Sequence, residues 1–252
     1  MIPRKLISQL ILALLLFTAC ALSATVSSEP TDHEILKKAD EARGNVGGVS
    51  WEVSVTTKEG DRTINLKCDV WARGFDIFAK ILEPPKYSNS KILMLKGSIW
   101  FYKPGTSRAV PISARQKLMG NAVYADIAAI NYAEDYDATR FSPDTVSGEP
   151  CYVFFLKAKS KECIYDRIVY WVSTSRLVGV KADYYTLSGK KIKSCRMEYV
   201  NTVYRDGQEH PFISSLEIND ELAKSGSTLL RFEKPILQAV PDSLFDPDLI
   251  VK

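Results

Sequence analysis

The sequence predicts a mainly β protein of the α+β class: an unclosed antiparallel β-barrel, or strongly curved sheet, of about eleven strands, with an N-terminal helix and short inserted lid helices. Three observations carry this. After Asn45 the apolar period falls from about 3.6 residues to 2 and largely stays there. The alternating runs are short and broken by turn residues, as at Lys58-Glu59-Gly60-Asp61, Leu187-Ser188-Gly189-Lys190 and Lys224-Ser225-Gly226, which favours antiparallel neighbours. One central stretch, Ala114 to Asp135, breaks the alternation with helix-compatible residues.

The elements follow in order. Arg4 and Lys5 precede the apolar run Leu10 to Phe17, and small residues follow, the arrangement of a secretory signal. The run is shorter than the roughly 20 residues that span a bilayer. Residues 1–20 therefore read as a signal peptide, 21–30 as a tether and 31–252 as a single domain. Two cleavages fit. Phe17-Thr18-Ala19-Cys20 has the look of a lipobox, which makes Cys20 a lipidation site; Ala21-Leu22-Ser23 suits ordinary cleavage.

Thr31 and Glu34 form a capping-box pattern, and Ile35, Leu36, Ala39 and Ala42 share one face of a helix ending near Gly44-Asn45. Three alternating strands come next, ending at Pro84-Pro85. Their apolar members, Trp51, Val53, Val55, Leu66, Cys68, Val70, Phe75, Ile77 and Ile81, are expected on the concave face. Lys91–Lys96 and Ser98–Lys103 form a hairpin around Gly97 with apolar residues on both faces, so both sides are expected to be covered. Later strands run over 152–158, 164–172, 178–185, 192–200, 212–218 and 228–232, adding Tyr152, Phe154, Val178, Val180 and Met197 to the concave face. Between the two groups, two short helices broken at Gly120-Asn121 are expected to act as a lid through Leu118, Met119, Val123 and Ile127.

The composition, 46% hydrophobic and 25% charged over 252 residues, suits one soluble domain. A net charge of +3 without a dense basic cluster excludes nucleic acid as a partner. His33 and His210 lie far apart, each without an obvious partner, and no nucleophile elbow, phosphate-binding loop or zinc-ligand pair occurs. Asp135, Asp137 and Asp144 read as loop acids rather than a calcium set. No catalytic residue, metal or cofactor is expected. Cys68, Cys151, Cys163 and Cys195 allow three pairings, and both free thiols and one disulfide remain open.

Several segments together resemble a family. They are Ile35-Leu36-Lys37-Lys38-Ala39-Asp40-Glu41-Ala42-Arg43-Gly44; Trp100-Phe101-Tyr102-Lys103-Pro104 with Arg108 and Pro111-Ile112-Ser113; Tyr124-Ala125-Asp126-Ile127 leading to Glu134-Asp135-Tyr136; and Tyr170-Trp171-Val172. Over residues 31 to 250 the chain resembles bacterial outer-membrane lipoprotein-sorting proteins of the LolA-like superfamily. The resemblance implies an unclosed barrel with a helical lid over a hydrophobic cavity that accepts acyl chains of lipoproteins or lipids crossing the periplasm. It implies a soluble shuttle, or, with an acylated Cys20, a membrane-tethered receiver or the partner of a membrane transporter. Relatives of the fold also serve as envelope signalling or scaffold domains that bind a membrane protein.

Overall fold

The computed structural model describes residues 29–59, 62–113, 116–119, 122–123, 130–222 and 227–251. The expected signal peptide, Cys20, most of the tether and Ile127 lie outside the described residues. Thr31–Lys252 clusters as one unit and carries every element below.

Helix α1 (Asp32–Ala42) begins with the expected capping box: the Thr31 side chain accepts the Glu34 N–H, and the Glu34 carboxylate accepts the Thr31 N–H. It buries Ile35, Leu36, Ala39 and Ala42. It stops at Gly44, whose φ of +112° suits glycine and whose missing side chain leaves room for the Trp51 ring, 2.4 Å from an ideal Cβ there.

Six strands follow as a meander: β1 (Val49–Glu59), β2 (Arg62–Arg73), β3 (Asp76–Glu83), β4 (Lys91–Leu95), β5 (Ser98–Tyr102) and β6 (Val110–Ile112). A second group comprises β9 (Tyr136–Val146), β10 (Glu149–Ala158), β11 (Arg167–Ser173), β12 (Gly179–Tyr185), β13 (Lys191–Glu198), β16 (Ser215–Asp220) and β17 (Ser227–Leu237). Antiparallel pairing of β1 with β17 joins the groups into one thirteen-stranded sheet, with β6 and β9 at its edges; it is not closed into a barrel. Two short pairs stand apart, β7 (Lys117–Met119) with β8 (Ala122–Val123), and β14 (Asn201–Arg205) with β15 (Gln208–Phe212).

The sheet has more strands than the eleven expected. β9 escapes the apolar pattern because it is an edge strand, largely exposed, with Ser142-Pro143-Asp144 in its sequence. The β14–β15 hairpin is polar on its outer side and reads as loop. Of the two expected inserted lid helices, the first is corrected, and the second falls largely outside the described residues. Leu118 and Met119 lie in β7 and Val123 in β8, and the one described helix of the region is the four-residue α2 (Tyr132–Asp135). Gly-Asn between two short apolar runs is a hairpin signal, and here it outweighs helix-compatible composition.

Both faces of the β4–β5 hairpin are covered, as its two-sided pattern predicts. One face joins α1 in the main core. On the other, Phe78 and Leu93 pack with Val240, Phe245 and Ile250 of the C-terminal segment, and Lys91 donates to the Ile250 carbonyl at 2.9 Å.

Candidate functional site

Of the residues expected on the concave face, Trp51, Val53, Val55, Leu66, Cys68, Val70, Ile77, Ile81, Phe154, Val178, Val180 and Met197 all enter one buried cluster with α1, and Tyr152 packs against it. Strand alternation places them on one face. Phe75 does not join them. The β2–β3 register pairs Arg73 with Asp76, so Phe75 occupies the tight turn beside Gly74 (φ +58°) and is only half-buried.

The middle of this interior holds charge and aromatic rings. Asp40, on the inner side of α1, is buried, and the side chain of Arg43, the C-cap of α1, is only 7% exposed, with Asp40 Oδ1 3.9 Å from Arg43 Nη1. Asp40 Oδ2 accepts the Ala133 N–H at 3.0 Å, which fastens α2 to α1. Burial pushes the Asp40 carboxyl up to about 7, outweighing the Arg43 guanidinium and two main-chain donors, which favour the carboxylate. Arg43 lies 4.7 Å from the centre of the Tyr132 ring. The Tyr132 and Tyr184 hydroxyls share a 2.9 Å hydrogen bond, and the Tyr132 and Tyr170 rings are 4.3 Å apart. Burial holds the Tyr132 phenol near 12, so it stays neutral. These contacts tie α1 and α2 to β11 and β12.

Open space adjoins this core at the end of α1. A cleft of about 300 Å³ lies among α1, the β14–β15 hairpin and the turn joining β11 to β12. Val178, Val203, Phe212 and Leu237 form apolar parts of its lining, and Lys38, Glu41, Arg176, Arg205 and His210 bring polar ends to it. Arg205 Nη2 bonds Glu41 at 2.8 Å, and Arg176 bonds both Glu149 oxygens at 2.8 and 2.6 Å. Leu177 on the same turn is held at φ +51°, with its N–H on the Ser173 carbonyl, a conformation that costs roughly 1–3 kcal/mol. A second cleft, about 350 Å³, shares Arg176 and reaches Val180 and Met197.

Sequence reasoning gave no site role to Lys38, Arg176 or Arg205, since basic residues from distant parts of the chain carry no periodic signal that joins them. It also read His210 as a partnerless loop residue, whereas it is half-buried in β15 and lines the first cleft. His33 is exposed as expected but has a partner, Glu134, at 2.8 Å on α2. Asp144 accepts the Trp171 indole N–H at 2.9 Å, and among the described residues no cluster suited to a metal forms. The four cysteines are free thiols; burial pushes Cys68 up to about 12.

A protein-family model described as "-like: Uncharacterized protein" matches residues 76–251. No curated protein matches the chain. Among solved structures, a LolA superfamily protein from Nitrosomonas europaea is 27% identical, with a TM-score of 0.75 over 87% of this chain and 99% of its own. A DUF1329 family protein from Desulfovibrio piger shares the fold at 17% identity, with a TM-score of 0.73 over 86% of this chain and 97% of its own. So does a domain described as an outer membrane lipoprotein-sorting protein from Vibrio parahaemolyticus, at 14% identity, with a TM-score of 0.74 over 87% of this chain and 98% of its own. With its strand order, its covering helix and these likenesses, the chain has the fold of LolA superfamily proteins, and it belongs to the family whose model matches residues 76–251.

Proposed function

We propose that this protein binds acyl chains of lipoproteins or lipids in the bacterial periplasm and carries them through water, without catalysing a reaction. The observation that supports this best is an open sheet whose apolar face is roofed by α1 and ends in clefts with apolar floors. Transfer of acyl chains from water is worth about 0.8 kcal/mol per CH₂, so a sixteen-carbon chain gains roughly 12 kcal/mol before ordering costs. Residues 31–252 act as the binding domain, with 1–20 removed on export. Cys20 acylation makes the protein a membrane-anchored receiver beside a transporter; ordinary cleavage makes it a free shuttle. The intact mass of membrane-extracted protein separates the two, since a lipidated N-terminus adds the mass of its acyl groups.

The lid belongs to the same reading. Residues 113–135 carry the chain from edge strand β6 to the opposite edge β9, so they join the two sides of the open sheet. Leu118 and Met119 of β7 and Val123 of β8, together with Ile127, are the residues proposed to meet the incoming chain. Native mass spectrometry of the purified protein tests the reading: bound lipid supports it, and lipid-free protein that also refuses added fatty acid refutes it.

A second reading, a signalling or scaffold domain that binds a membrane protein, is favoured by one observation. The interior around Asp40, Arg43, Tyr132, Tyr170 and Tyr184 is filled by its own side chains. Under that reading a folded protein stays empty in the same experiment.

A further inference from the structure

The cleft at the end of α1 joins two kinds of surface. Val178, Phe212 and Leu237 offer an apolar floor, while Lys38, Arg176 and Arg205 bring three permanent cations to the same space. Among the residues that line the cleft the one carboxylate is Glu41, paired with Arg205; Glu149, paired with Arg176, and Glu34, near enough to Lys38 to feel its charge, sit beside the cleft rather than in its lining. The lining itself, three cations to one carboxylate, therefore carries positive charge in excess. The donors are not used up either. A guanidinium has five N–H groups; Arg205 spends one on Glu41 and Arg176 two on Glu149, so both retain donors for a further acceptor. Their ion pairs already restrict the two side chains, which lowers the ordering cost when an anion arrives.

We propose that this cleft is a headgroup site, which takes the anionic end, carboxylate or phosphate, of a single-chain amphiphile whose tail lies on the apolar floor. The proposal rests on the acyl-chain reading above and adds a preference that reading does not require, because burying methylenes does not distinguish one head from another. A neutral head leaves the cations to water. A cationic head meets like charge.

Titration calorimetry of the purified, delipidated full chain with dodecanoate, dodecyl phosphate and dodecanol, each below its micelle threshold, tests it. The proposal predicts that at least one anionic amphiphile binds about tenfold or more tightly than dodecanol, the gain of one good charge-assisted hydrogen bond. Whichever anion binds tighter identifies the source of the head, a free fatty acid or a phosphorylated lipid. Lys38→Gln and Arg205→Gln are each expected to lower anion affinity roughly fivefold with little change for dodecanol. Lys80→Gln, on the other face of β3, leaves all three affinities unchanged. Equal affinity for dodecanol and both anions overturns the headgroup site and leaves acyl binding standing. Failure of all three to bind overturns both.

Discussion

Gly179 begins β12 where the Tyr170 hydroxyl ends: an ideal Cβ at that position lies 1.7 Å from the phenol oxygen. Tyr170 is fully buried between Tyr132 and this backbone, and has nowhere to retreat. Gly179→Ala is therefore expected to cost at least the roughly 1–3 kcal/mol typical of overpacking, read as a lower denaturation midpoint at unchanged m-value. Nothing in the sequence marks this glycine, because its role depends on a tyrosine nine residues away on the neighbouring strand. Asp40 gives a second prediction. Its carboxyl keeps a proton up to about pH 7 in the folded protein, against about 3.9 when unfolded. The folded state thus binds the extra proton between those limits, so this group's stability is full below about pH 4 and falls as pH rises toward 7. Asp40→Asn should flatten that fall in chemical denaturation measured from pH 4 to 8. A mutant that loses stability with rising pH as steeply as the parent contradicts the assignment.

At the scale of elements, alternation decides which side of a strand faces α1. On β3, Ile77, Ala79 and Ile81 enter the main core while Phe78 enters the smaller cluster under the C-terminal segment. Ile77→Asp places an unpaired carboxylate in the core and is expected to cost several kcal/mol or abolish folding, whereas Lys80→Gln stays within about 0.5 kcal/mol by thermal denaturation. Equal tolerance at the two positions reverses the faces. The helix start is a gentler test: Thr31→Ala removes a cap worth about 1 kcal/mol. The helix α1, the first meander and the two-sided hairpin were legible in the sequence because each buries a regular apolar face. β9 and the β14–β15 hairpin were not, since an edge strand and a polar hairpin bury too little to impose a period. The strands β7 and β8 were misread because a Gly-Asn pair between short apolar runs fits both a helix break and a hairpin signal, and local composition does not choose between them.

For the whole molecule, the pairing of β1 with β17 makes one sheet of two meanders, and the segment from β6 to β9 returns across to the far edge. An open sheet built this way retains an apolar face that depends on covers such as α1, with a cleft left where α1 meets the β14–β15 hairpin. The family resemblance was readable from order and spacing; the cationic rim of the cleft needed three dimensions, because Lys38, Arg176 and Arg205 come from three distant parts of the chain. The central claim is that the space beside this core takes an acyl chain. Fluorescence titration of delipidated protein with a labelled fatty acid, for the parent and for Phe212→Asp, is the most direct test, with circular dichroism to check that both are folded. The account predicts saturable one-to-one binding by the parent and a loss of affinity of tenfold or more in the variant. A folded parent protein that does not bind contradicts it.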